Sequence, residues 1–144
     1  MVQNRKSFCI VCIANYCRSP VVEIFLKKRF GDEYEFFSAG LSPIPLPNMD
    51  PRSLDFLKQN DMQHPFHNAK KINNKMLGYF DYFFAVDLFV LNELNKSFPK
   101  YKHKFRLFTS QFVDININDP YRLNNDEYNK VMNNIKYVTA NIKL

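Results

Sequence analysis

Residues 8–13 are an unbroken apolar run, Phe8-Cys9-Ile10-Val11-Cys12-Ile13, and after a short loop a helical pattern opens at Ser19-Pro20. A run of that length without a charge reads as a strand covered on both faces. A strand that turns abruptly into a helix leaves several backbone N–H groups converging on one hollow, with the positive end of the helix dipole beneath it. This junction is a strand–helix unit of the kind that builds a parallel sheet when it recurs along a chain. It predicts an open sheet whose ligand lies at the strand ends.

The rest of the chain keeps the alternation. Ser7–Cys12 is the first predicted strand, followed by a helix from Ser19 to about Phe30. Glu35–Ala39 is a second strand, ended by Gly40. Pro43, Pro45 and Pro47 make 41–48 a stiff surface loop. Asp50 is placed to cap a helix that has Pro51 at its first position and runs to Asn60. A short helix covers Asn73–Gly78, and Asp81–Val86 is a third buried strand. Asp87 then caps a helix to about Ser97. Lys104–Phe108 is a fourth strand. The last helix covers Asp126 to about Asn141, with Tyr128, Val131, Met132, Ile135 and Val138 at core spacing. The expected fold is α/β, one three-layer domain over residues 1–144, with a four-stranded parallel sheet and helices on both faces.

Composition narrows the function classes. The formal charge of +6 comes from scattered basic residues with no run of five Lys/Arg, so nucleic-acid binding is not inferred. No apolar run approaches the roughly 18 residues that span a bilayer. Arg5-Lys6 ahead of an apolar stretch imitates a signal peptide, but Asn15 and Arg18 break it and no small-residue cleavage site follows. Cys9, Cys12 and Cys17 are the only cysteines, all in one strand–loop unit. They form no disulfide framework, and a reducing cytoplasm is the expected compartment. Cys9-x-x-Cys12 has no second Cys/His pair, so no metal site and no cofactor are expected.

The loop itself carries chemistry. Cys12 and Arg18 lie six positions apart, with Ser19 next. Thiols at a helix N-terminus beside a cation ionise more readily than free ones. A planar guanidinium can hold two phosphoryl oxygens at once, and a serine hydroxyl can donate to the sulfur and help it leave. These features point to a phosphate-handling cysteine nucleophile on a loop of Ile13, Ala14, Asn15, Tyr16, Cys17 and Ser19. An acid is also needed. Asp119 is the candidate, since Pro120 holds the backbone extended and keeps the carboxyl out of a helix, although on local sequence alone it reads as an ordinary turn aspartate.

Cys12-x-x-Asn15-x-Cys17-Arg18-Ser19-Pro20 resembles the signature of the low-molecular-weight protein tyrosine phosphatases. Ser38-Ala39-Gly40, Asp50-Pro51-Arg52, His67 ahead of Ala69-Lys70, Phe80-Asp81 with Asp87, and Asp119-Pro120-Tyr121 follow in the family's order. The resemblance implies a flavodoxin-like fold and a metal-independent hydrolysis of phosphotyrosine through a phosphocysteine. It assigns Cys12 as nucleophile, Arg18 as clamp and Asp119 as acid and base. It also implies a supporting network of Asn15, Ser19, Ser38 and His67. The substrate pocket would take Tyr16, Ile44, Leu46 and Tyr121, although Tyr121 reads equally well as a core tyrosine. Cys17 has two readings, a partner that protects Cys12 by a disulfide or a small buried residue. The Asp119-Pro120-Tyr121-Arg122 pattern, with Ser38-Ala39-Gly40-Leu41, is closest to bacterial members paired with tyrosine kinases. The implied partner is a tyrosine-phosphorylated protein, such a kinase among them; the oligomeric state is left open.

Two loop positions depart from the family pattern. Ala14 replaces a usual glycine, which means strain if the site needs positive φ and nothing more than a small side chain if it does not. Tyr16 replaces a smaller residue at the pocket. Three rivals share the loop. Arsenate reduction needs a relay of later cysteines, and none follows Cys17. Phosphoarginine hydrolysis fits less well with Tyr16 in place of threonine. A catalytically idle phosphate-binding module does not account for Cys12, Arg18 and Asp119 together.

Overall fold

The computed structural model describes residues 4–144. Four strands, β1 (Ser7–Cys12), β2 (Glu35–Gly40), β3 (Tyr82–Ala85) and β4 (Phe105–Leu107), pair in parallel in the order β2-β1-β3-β4. Five helices connect and cover them: α1 (Ser19–Phe30), α2 (Pro51–Gln59), α3 (Asn74–Tyr79), α4 (Leu88–Ser97) and α5 (Asn125–Asn141). β1 lies inside the sheet and all six of its residues are buried, as its uncharged sequence requires.

The chain moves one way from β1 to β2 and the opposite way from β3 to β4. Right-handed crossovers therefore put α1 and α4 on opposite faces. α5 packs on α1, α2 packs on α5, and α4 covers β3 and β4. The strand order reverses between β1 and β3, which opens a crevice at their carboxyl ends. The loop after Cys12 and the turn at Asp87 both border it.

Phenylalanine fills much of the core. The Phe8 ring stacks with Phe36, Tyr82 and Phe84 at centroid distances of 5.5–5.6 Å. The helix starts follow the predicted caps: Asp50 accepts from the Arg52 N–H and Asp87 from the Val90 N–H. α5 starts one residue early because the Asn124 side chain accepts from Glu127 N. Two short 3₁₀ turns, Gly31–Glu33 and Pro99–Lys104, were not expected. Each is a single tight connection and leaves no apolar period to detect.

Candidate active site

The loop between β1 and α1 is shaped by Asn15, the only one of its residues with a left-handed backbone (φ 52°). Ala14 is not in that region, so alanine there carries no left-handed strain. Asparagine tolerates the conformation, and here every polar group of Asn15 is engaged. Its N–H donates to Cys12 Sγ (3.2 Å), and its side-chain amide donates to Ser19 Oγ (2.8 Å) and Ser38 Oγ (3.0 Å). Its Oδ1 accepts from Lys70 N (2.9 Å) and its carbonyl meets His67 Nε2 at 2.7 Å. Because that carbonyl only accepts, the His67 proton sits on Nε2. Burial lowers the tendency of His67 to take a second proton, partly offset by this bond. Ser38 passes the network on to Glu23 Oε1 at 2.6 Å.

Cys12 Sγ lies 2.9 Å from Ser19 Oγ. Ser19 Oγ accepts from Asn15, and its hydroxyl hydrogen has two acceptors in reach, the nearer Cys12 sulfur and the Ala39 carbonyl at 3.5 Å. Arg18 is 1% exposed, so its charge needs a partner. Nη1 donates to Asp87 Oδ2 at 2.5 Å and to the Ile117 carbonyl at 2.8 Å. The other guanidinium nitrogens have no protein partner among the described residues. Asp87 thus does two things: Oδ1 caps α4 and Oδ2 holds Arg18. The crevice between β1 and β3 brings them together.

The opposite wall comes from the loop before α5. Asp119 Oδ1 accepts from the Tyr121 N–H at 3.2 Å, and the Tyr121 ring meets Tyr16 edge-on at 6.1 Å. This loop is tied to α2 by Arg52, which donates to the carbonyls of Tyr121 (2.9 Å) and Leu123 (2.8 Å). Arg52 also grips Asp50 and lies 4.0 Å over the Tyr128 ring. The Cys17 thiol points the same way, 3.8 Å from Asp50 Oδ2, and burial pushes it up to about 12. Burial likewise raises Cys9 well above the ordinary thiol range. All three cysteines are free and buried.

Cys12, Ile13, Ala14, Tyr16, Cys17, Arg18, Ile44, Asp119 and Tyr121 line one hollow of about 230 Å³, together with Ser42 and Arg122. Asn15, Ser19, Ser38 and His67 stand behind it. Leu46 is outside the lining and 44% exposed. A larger hollow of about 540 Å³, lined by α1 and residues 61–70, contains no thiol. Among the described residues no cluster of three His, Cys, Asp or Glu is placed to hold a metal, and no helix is long and apolar enough to cross a membrane.

Three positioning features escape the sequence reading. Gly40 lies against the loop so closely that a Cβ would sit 2.8 Å from Asn15 N and from Ile13 O. The ion pair to Asp87 and the Arg52 tie to residues 121 and 123 join segments about 70 residues apart. The Asp-Pro-Arg motif marked the last of these only as a helix start.

The family profile described as low molecular weight phosphotyrosine protein phosphatase matches residues 7–142. A phosphatase of that description from Schizosaccharomyces pombe is 34% identical over 122 residues, covering 77% of this chain and 78% of its own. The low molecular weight protein-tyrosine-phosphatase Wzb of Escherichia coli K12 is 26% identical over 119 residues, covering 83% and 80%. Vibrio vulnificus Wzb, solved with benzylphosphonate, has the same fold, with a TM-score of 0.85 at 21% identity over 95% of this chain and 96% of its own.

Proposed function

The chain belongs to the low molecular weight phosphotyrosine protein phosphatase family, and from that premise we propose that Cys12, Arg18 and Asp119 hydrolyse phosphotyrosine in two steps. Cys12 thiolate attacks phosphorus in line. The S–P bond forms as the P–O bond to the phenol breaks, and protonated Asp119 gives its proton to the leaving oxygen. The unpartnered Arg18 nitrogens and the loop N–H groups hold the equatorial oxygens. In the second step Asp119 takes a proton from water. The water oxygen then displaces Cys12, and the Ser19 hydroxyl eases its departure.

One observation carries this reading: Cys12, Arg18 and Asp119, from the loop after β1 and from the segment before α5, line a single hollow whose wall is a pair of tyrosine rings. Aromatic walls favour an aryl phosphate, because the substrate ring can lie against them. Substrates under this reading are tyrosine-phosphorylated proteins, a bacterial tyrosine kinase among them. Three free thiols support a reducing, cytoplasmic setting.

The test is turnover of a phosphotyrosine peptide by the wild type, Cys12→Ser and Asp119→Ala. Cys12→Ser abolishes turnover. Asp119→Ala slows it by about 10²–10⁴ and lengthens the life of the bound peptide. Turnover that survives Cys12→Ser but not EDTA overturns the assignment.

A further inference from the structure

The catalytic hollow does not end at its rim. Ile13 and Ser42 also line a neighbouring hollow of about 480 Å³, whose other walls include Leu41, Ile72, Phe89 and Phe98. Phe89 is 57% exposed and Leu88 before it 61%. Both lie in the first turn of α4, just after the Asp87 cap, where acidic residues are usual and none is present. The core face of that helix is Val90 and Leu94, so folding does not explain an aromatic ring at position 89. An exposed apolar pair beside a reaction site marks an interaction surface more often than a folding requirement. Its base is fixed, because Asp87, the preceding residue but one, is held by buried Arg18.

We infer that this second hollow seats the substrate residues flanking the phosphotyrosine, and that Phe89 sets a preference for an apolar side chain there. The inference rests on the phosphotyrosine reading above. With a phosphotyrosine in the catalytic hollow, the substrate backbone passes over Ile13 and Ser42. Two or three extended residues then cover about 7–10 Å, enough to put a neighbouring side chain against Phe89 and Leu41. The occupant is an extended peptide rather than a small molecule, because Ile13 and Ser42 belong to both hollows and so bring the second within reach of a chain seated in the first. Five of its nine lining residues are apolar, while Lys71 and Glu93 among them offer opposite charges that offset one another. A leucine or phenylalanine therefore gains there and a carboxylate does not.

The experiment is a phosphotyrosine peptide panel in which each position from three before to three after the phosphotyrosine is Leu, Phe or Asp in turn. The readout is the kcat/KM ratio of the Leu to the Asp peptide at each position. The wild type is expected to favour Leu or Phe about tenfold at one position or an adjacent pair. Phe89→Ala reduces that ratio to about two, Phe89→Glu takes it lower still, and Phe89→Leu restores most of it. A flat wild-type panel, or a preference that Phe89→Ala and Phe89→Glu leave intact, overturns the inference. Wild-type turnover of p-nitrophenyl phosphate separates the two failures: without it the phosphatase assignment fails, with it only the docking surface does. If Phe89→Ala changes the sedimentation coefficient but not the ratio, the face serves a second copy of the chain and the inference is also overturned.

Discussion

Replacing Gly40 with alanine adds one methyl group, and the structure says where it goes. The new Cβ lies 2.8 Å from Asn15 N, 2.8 Å from Ile13 O and 2.9 Å from Ala14 C, all backbone atoms of the loop between β1 and α1. Ordinary contact begins near 3.4 Å, so the loop has to retreat by about 0.6 Å. Gly40 itself has no room to yield. Its N–H donates to Lys70 O at 2.8 Å and its carbonyl accepts from Ile72 N at 2.9 Å. Overpacking of this kind costs about 1–3 kcal/mol. Alanine recovers about 0.5–1 kcal/mol by stiffening the unfolded chain. The net loss is about 0–2.5 kcal/mol, or at most roughly 8 °C in Tm for a chain of this size. The effect on activity is larger in proportion. A displacement of about 1 Å at a reacting group can cost about 10² in rate, so kcat/KM for p-nitrophenyl phosphate should fall about 10–10²-fold. Gly78 in α3 is the control: a Cβ there meets nothing within 4 Å and its φ is not left-handed. Gly78→Ala should raise stability by about 0.5–1 kcal/mol and leave kcat/KM unchanged. Calorimetry and steady-state kinetics on the two variants decide the matter. If Gly40→Ala matches Gly78→Ala in both, the close approach does not hold the loop.

Three further outcomes are expected. Asp87→Ala removes the α4 cap and leaves the Arg18 charge with only the Ile117 carbonyl, which should cost about 2–4 kcal/mol in urea unfolding; Asp87→Asn, whose single acceptor oxygen can serve the cap or Arg18 but not both, should lose less. Arg52→Met frees the loop that carries Asp119. Its kcat should fall about tenfold on phenyl phosphate, whose leaving group needs the acid, and much less on p-nitrophenyl phosphate; equal losses on both would refute the positioning role. Burial lowers the His67 pKa below its unfolded value of 6.5, so as pH falls through 6.5 the unfolded state takes up protons that the folded state does not. Stability should therefore decline from pH 6.5 down to the lowered folded value, and His67→Gln should flatten that part of the profile.

The sheet was legible because its information is local. An uncharged run at 7–12, a cap followed by proline at 50–51 and apolar spacing at 128–138 each declare an element within a few residues. The loop was legible for a different reason: Cys12, Arg18 and Ser19 are close in sequence as well as in space. What joins distant segments was not. Asp87 announced a cap through its position before α4, but its second oxygen reaches Arg18, 69 residues earlier, and nothing periodic marks that. Arg52 reads as an ordinary helix-start residue until residues 121 and 123 arrive. Ala14 raised the question of left-handed strain from its place in the motif. The left-handed residue is its neighbour Asn15, whose side chain satisfies partners up to 55 residues away.

The arrangement around Asn15 divides the loop into two faces. Positions 13, 14 and 16 line the hollow, while 15 and 19 are fully buried, with Asn15 bonded to β2, to the segment 67–70 and to Ser19. The shape of the loop is therefore set largely from behind, and at the front it is the backbone carbonyls of Ile13 and Tyr16, accepting from Ser42 and Asp50, rather than their side chains, that add to the hold. Such a loop can be revised on its front without being rebuilt. Tyr16 and Ala14 become adjustable letters in a fixed frame, and selectivity in this chain can drift between aryl phosphates while the phosphorus chemistry is inherited intact.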